Sequence, residues 1–411
     1  MESLRLLTNK LQVAQFFNTS YNKEFTKDFP VGTTVRIPYP QRFTIRDGLG
    51  YQPQPINATH TTVVCDQIFG VDFEWDSAEA ALKLVRGREK ISEMLLDPAM
   101  AQIAQEIDSR SALFAYQNTN NIVGALGTDP TTFQGTSGAA RQRLIELACP
   151  AGGKRGMLVP PVVNTNLVAG ASNFFNPPDA ISKQYKEGAL GRQGGFDWYE
   201  SMSLYSHTAG VWQTPASVTV SGANQSGSSL LLNCTSGDTF KKGDVISIAS
   251  VYPTNPMTRR ATSASTTKQF VITADVTASA STVTVAIQPA IVGPASVPLG
   301  ASGQYQNVSA LPADTALVTL FPGTTAPSTG PKAGIQGLAL HPDAFALVGV
   351  RLELPKACEL SSQTQDPDSG ISVAFVRMFD PIQRKMVNRF DVLMGFGVLY
   401  GDNCAVRVLC A

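Results

Sequence analysis

One stretch of this chain constrains its fold more than any other: from roughly Gln213 to Pro331 the charged residues nearly vanish and helical periodicity disappears. The charges that remain there are mainly Asp238, Lys241, Lys242, Asp244, Arg259, Arg260, Lys268, Asp275 and Asp314. Strand-like runs fall at Ser217–Val220, Ser229–Asn233, Asp244–Val251, Gln269–Thr273, Thr282–Ile287 and Ala316–Phe321, separated by Gly, Ser, Pro or Asn turns. About six short strands at this spacing, without helices, predict a small β-barrel or sandwich. Its two ends must lie close together, as for any domain inserted in a loop.

That flanking chain mixes helices and strands. Leu4, Leu7, Leu11, Ala14 and Phe17 form one stripe, predicting an amphipathic helix over residues 4 to 17. Residues 31 to 75 then read as two extended arms. The first alternates at Val35, Ile37 and Tyr39, the second runs from Thr61 to Trp75, and Asp47-Gly48-Leu49-Gly50 makes the tip. Such a finger, exposing Arg42, Arg46 and Asp47 beside apolar groups, has little core of its own and needs something to lie on. Asp76 or Ser77 is placed to cap a following helix. Asp97-Pro98 opens a longer one, with Met100, Ile103, Ala104, Ile107, Ser111 and Phe114 at helical spacing. To Tyr116 it would span roughly 28 Å. Further helices are expected at Ala139–Ala148, at Val162–Ala171 and after the turn Asn176-Pro177-Pro178-Asp179. Strands are expected at Met157–Val159, around Phe196–Tyr199, and, beyond the insert, at Gly337–His341, Ser372–Phe379, Lys385–Met394 and Gly397–Tyr400. The whole reads as one α+β body interrupted by a β insert.

Length and charge narrow the function. At 411 residues, two or three domains are expected. The charged fraction of 16% is low, and Lys+Arg 32 cancels Asp+Glu 32, so no net field gathers nucleic acid or anionic membrane. Few, balanced charges suit a chain that hides its surface against copies of itself. Met1 to Phe17 lacks the apolar core of a secretion signal, and no stretch reaches the roughly 18 apolar residues of a membrane span. The expectation is a soluble chain made in the cytoplasm. Cys65, Cys149, Cys234, Cys358, Cys404 and Cys410 show no C-x-x-C pair and read there as buried free thiols.

Catalytic templates fail in turn. His60, His207 and His341 are isolated, without the i, i+4 spacing of a helical metal pair, and read as satisfied or solvent-facing. Gly152-Gly153-Lys154-Arg155 lacks the earlier glycine and following Ser/Thr of a phosphate loop. Gly135-Thr136-Ser137-Gly138 is one residue short of a nucleophile elbow, and Gly188 to Gly194 has the wrong spacing for a dinucleotide fingerprint. The reading is therefore no catalytic residues, no cofactor and no metal.

Several segments, in order, resemble the coat proteins of tailed bacteriophages of the P22 type. They are Arg36-Ile37-Pro38-Tyr39-Pro40-Gln41-Arg42-Phe43, the helical region after Trp75, Asn176-Pro177-Pro178-Asp179, and the Gly191 to Asp197 run. The insert adds Lys242-Gly243-Asp244-Val245-Ile246-Ser247-Ile248 and Tyr305-Gln306-Asn307-Val308. The resemblance implies an α+β, HK97-like shell fold with an inserted β-barrel. Its parts would be an N-terminal arm (1–30), an extended loop (31–75), a peripheral region with the spine helix (76–127), an axial and peripheral α/β part (128–212), the barrel (213–331), and a return to the body (332–411). It implies a major capsid protein forming the icosahedral shell around phage DNA, assembled in the bacterial host cytoplasm and resident in the virion. Its partners would be copies of itself in pentamers and hexamers, a scaffolding protein, a portal and, optionally, a decoration protein; DNA is touched only non-specifically, and membranes not at all. Intersubunit contacts fall to Arg42, Arg46, Asp47, Arg259 and Arg260, the last two within a polar loop, Tyr252 to Lys268, that would reach a neighbouring capsomer or else be a disordered surface loop. No lysine marks the finger tip, so no isopeptide crosslink is expected. The competing readings are a secreted β-rich adhesin or carbohydrate-binding protein, and a hydrolase with an unrecognised site.

Overall fold

The computed structural model describes residues 11–21, 34–43, 45, 48–51, 53, 56, 59–76, 96–124, 137–150, 152–171, 191–262, 266–294, 304–321, 333–355, 358–366, 370–382 and 385–409. The chain divides into two compact units. One comprises Met1–Ile37, His60–Ala112 and Phe345–Leu399; the other comprises Pro38–Thr59, Leu113–Ala344 and Tyr400–Ala411.

Among its described residues, the first unit is built on a six-stranded sheet. Its order is Thr34–Pro38, His60–Asp76, Lys385–Val398, Ser372–Asp380 and Leu360–Gln365, with Phe345–Val350 pairing the far end of Lys385–Val398. The second arm of the expected finger is thus a central strand: it pairs Lys385–Val398 from Val63↔Gly397 to Asp76↔Lys385, with a bulge between Cys65 and Gln67. Gly70 is required in that pairing, since a Cβ there would collide with the Phe390 carbonyl oxygen. Asp76 ends this strand, and the helix expected after it lies outside the described residues, as does the Asn176–Asp179 turn.

The long helix runs Asp97–Asn118, and Met100, Ile103, Ala104 and Ile107 are buried as their spacing requires. Its Asp108 accepts hydrogen bonds from the N–H groups of Gln12 (2.7 Å), Val13 (3.1 Å) and Ala14 (3.0 Å). The N-terminal segment is therefore held by a carboxylate and enters a 3-10 turn at Ala14–Phe16; the rest of the expected helix, residues 4 to 10, lies outside the described residues. Burial pushes the Asp108 carboxyl up from its ordinary range, against the pull of those three donors.

In the second unit a mixed sheet runs Ile122–Val123, Ala405–Leu409, Ala333–Leu340, Gly156–Val159, Phe196–Glu200 and Arg192–Gln193, with Ser206–Thr208 against the start of Ala333–Leu340. The helices Ala139–Glu146 and Pro161–Ala171 accompany it. All six strands expected of the insert are present. They run Val318–Phe321, Val245–Ile248, Gln269–Ile272, Thr282–Ile291, Gly227–Asn233 and Thr219–Val220, each antiparallel to the next. The outer two meet as well: Val318 N–H donates to Val218 O (3.0 Å), Val220 N–H to Ala316 O (2.9 Å), and Thr219 bridges Leu317. The sheet closes into a barrel, which removes its exposed edges. Trp212, Phe240, Phe270, Ile246, Val285 and Leu320 fill it.

Strand Gln269–Ile272 is buried on both faces. Phe270 and Ile272 point into the barrel, whereas Val271 packs with Ile122, Val245 and Leu409 of the body. Beside it, the Gln269 side chain exchanges both amide hydrogen bonds with the Ile122 backbone, accepting at 2.8 Å and donating at 3.1 Å, and the Gln269 backbone carbonyl accepts from Asn120 Nδ2 at 2.9 Å. The buried Arg407 guanidinium donates to Thr119 O (2.6 and 2.9 Å) and Gly243 O (2.8 Å), over the Tyr116 ring. This polar seam joins the barrel to the body.

Candidate assembly interface

The extended segment between the strands Thr34–Pro38 and His60–Asp76 is closed at its base by Tyr39 N–H donating to Thr59 O at 2.9 Å, with the Tyr39 ring 5.4 Å from that of Tyr400. Proline at positions 38, 40, 53 and 55 removes ladder donors, and Gly48, within the tip, takes a left-handed φ of +84°. Among its described residues between Pro40 and Thr59 there is no strand. Ile45, Leu49 and Tyr51 are 94%, 98% and 88% exposed, and Phe43 and Ile56 are exposed too. Apolar side chains this open to water on one segment mark a surface awaiting a partner.

The segment's root meets the barrel. Arg259 Nη2 donates to Phe43 O at 2.8 Å, Tyr305 Oη donates to Gln41 Oε1 at 3.2 Å, and the Arg42 guanidinium lies 5.9 Å from the Tyr305 ring centre. Three of the five residues singled out in the sequence are thus placed: Arg42 and Arg259 are at this junction, and Arg260 is exposed beside it. Arg46 and Asp47 lie outside the described residues.

Arg259 and Arg260 sit at the turn of a built hairpin. Thr254 bridges Ala261, Thr262 N–H donates to Pro253 O (3.0 Å), and Asn255 N–H to Arg260 O (3.0 Å). The Asn255 side chain accepts from Met257 N–H (2.9 Å) and Thr258 N–H (3.3 Å), the self-bonding that makes Asn a turn former. Of the two readings of Tyr252 to Lys268, the described part up to Thr262 is therefore an ordered hairpin. Its far end departs from the polar-loop expectation, because Lys268 is completely buried, and that burial lowers its ammonium pKa to about 8. Asp402 opposes the lowering and Arg143 adds to it.

The isolated histidines are accounted for differently. His60 is exposed on its strand. His207 pairs with the buried Asp244 at 2.6 Å beside a cavity of about 510 Å³ lined also by Tyr116, Tyr205 and Lys241. Asp244 further accepts from the N–H groups of Gly210 (3.1 Å) and Lys241 (2.8 Å), so its oxygens serve to anchor the start of the barrel. Among the described residues, no helix is long and apolar enough to cross a membrane.

The family model of the P22 coat protein, gene protein 5, matches residues 88–405. The chain belongs to the P22 coat protein family. It is a major capsid protein that forms a phage shell, so it associates with copies of itself and resides in the virion. No curated protein matches it. Among solved structures it is similar to one of Mycobacterium phage Che8, at 12% identity and a TM-score of 0.48, covering 97% of this chain and 90% of that one. It is also similar to the capsid of Cyanophage P-SCSP1u (10% identity, TM-score 0.42, 96% and 86% covered) and to the mature capsid of bacteriophage PhiM1 (10%, 0.41, 92% and 82%).

Proposed function

We propose that this coat protein closes its icosahedral shell, as pentamers and hexamers, by laying the apolar finger and the Pro253–Thr262 hairpin on neighbouring copies. The observation that carries this is the exposure of Ile45, Leu49 and Tyr51 on a segment without a core. In a protein whose work is to pack against itself, a second copy is the occupant such a surface fits. In the HK97-like scheme, residues 1–30 are the arm, the long helix within 76–127 is the spine, 128–212 and 332–411 form the body, and 213–331 is the inserted barrel. The extended loop narrows from 31–75 to 38–59, since His60–Asp76 belongs to a sheet interior. Arg42, Arg46, Asp47, Arg259 and Arg260 remain the polar contact residues. The role is structural and without catalysis. A scaffolding protein, a portal and an optional decoration protein complete assembly in the bacterial host cytoplasm. With formal net charge +0, the shell encloses DNA without specific binding.

Expression alone and with the neighbouring phage genes, followed by electron microscopy and sedimentation, tests this. Closed shells, polyheads or capsomer rings are expected; a strictly monomeric protein under all conditions would overturn it. Replacing Asn255–Arg260 by Asn-Gly, which suits a two-residue turn, should leave the barrel folded while shells fail or lose fidelity. Unaltered shells would remove the hairpin from the interface.

A further inference from the structure

A cluster of metal-ligating side chains lies away from the finger and the hairpin. Cys149 follows the helix Ala139–Glu146, His341 follows the strand Ala333–Leu340, and Cys404 closes the short helix Gly401–Cys404 that leads into Ala405–Leu409. Their sequence separations match no metal motif, yet all three are buried and their ligand atoms lie within 4.8 Å of one another. The backbone fixes each of them. Cys149 N–H donates to Leu144 O (2.9 Å), His341 N–H to Cys404 O (3.0 Å), and Cys404 N–H to Tyr400 O (2.8 Å).

The imidazole is set in one tautomer. Its Nε2 lies 2.7 Å from the Gly152 carbonyl, which can only accept, so Nε2 carries the proton and Nδ1 the lone pair, which accepts the Asp343 N–H at 3.2 Å, a long bond that a metal ion would displace. An outer N–H to a backbone carbonyl is the contact that metal-bound histidines habitually make. Asp343 Oδ2 lies 3.5 Å from Nδ1. That carboxylate stands outside the set of ligand atoms that lie within 4.8 Å of one another, so the fourth position of a tetrahedral set falls to solvent.

We propose that Cys149, His341 and Cys404, with solvent in the fourth position, bind a thiophilic divalent cation, zinc by preference, as a staple holding the strand Ala405–Leu409 to the body. Two thiolates, one imidazole and one solvent oxygen in a tetrahedral set suit zinc rather than the all-oxygen cations. On binding, each thiol loses its proton to solvent, Nδ1 needs to lose none, and nothing is oxidised or reduced. The staple sits immediately before Arg407, so it would also steady the seam beneath the barrel.

X-ray absorption at the zinc edge on zinc-replete, wild-type protein tests this without any substitution. The expected shell is two sulfurs at about 2.3 Å and two lighter atoms at about 2.0 Å, with about one zinc per chain by elemental analysis. A shell of nitrogen and oxygen only, a content far below one per chain, or a Cys149–Cys404 disulfide in freshly isolated protein would each overturn the proposal. Cobalt substitution should give thiolate-to-metal absorption that Cys149→Ser/Cys404→Ser abolishes and Cys234→Ser retains; absorption retained by the double variant would also overturn it.

Discussion

Inside the barrel, Phe240, Phe270 and Ile272 pack among apolar neighbours, while one residue along from Phe270 the same strand presents Gln269 to the body. The two faces of one four-residue strand thus solve burial by different physics. The barrel face relies on area removed from water, which is non-directional and indifferent to pH. The seam relies on satisfied polar groups: Gln269 paired with a backbone amide, Arg407 on three hydrogen bonds to carbonyl oxygens, and Lys268 buried nearby at a cost. Apolar cores tolerate many arrangements of similar volume, whereas a hydrogen-bonded amide accepts one. The barrel therefore carries its own stability, and the seam fixes where it sits.

That contrast is open to breakage. Phe270→Ala should cost about 3–5 kcal/mol in urea unfolding, equally at pH 7 and at pH 10; a pH-dependent loss would show that the barrel face is not purely apolar. Lys268 should behave oppositely. Its folded pKa of about 8 lies below the ordinary 10.5, so the unfolded chain binds the extra proton. Burial then costs about 3 kcal/mol below pH 8, a cost relieved as pH rises through that window. Lys268→Met should be more stable than the parent at pH 7 by up to that amount, with the gap closing towards pH 10.5; a constant gap would contradict the assignment. Gln269→Leu keeps the size but leaves the Ile122 N–H and carbonyl unpaired, for a loss of about 1–3 kcal/mol. Loss much below this would mean that the seam adds little to docking the barrel.

The sequence made the barrel legible because its strands are bounded by turn residues and its charges are few. It hid the seam for the same reason in reverse: Lys268 reads as the end of a polar loop, and only the structure puts it inside. The strand Phe345–Val350 is almost wholly buried and shows no alternation, so periodicity could not reveal it. Leu360–Gln365 is a polar strand at the sheet edge and looks like loop. The finger is legible as extended chain, but its second arm is not coreless: residues Thr61 to Trp75 alternate because they lie in a sheet, not because they hang free. Arg259 was found by its place in a charge-poor block, although its bond to Phe43 O needed coordinates. Cys149, His341 and Cys404 gave no signal, since three distant turns bring them together.

On the proposed function, the coat protein folds by itself and reserves its finger for other copies. Ile45→Ser/Leu49→Ser/Tyr51→Ser, made together, tests this by thermal unfolding of the isolated chain and electron microscopy of the assembly reaction. Each side chain is already exposed to water in the chain, so unfolding should shift by no more than about 0.5 kcal/mol per site. Shells should be absent or malformed. Normal shells from this variant, or a chain that no longer folds, would contradict it.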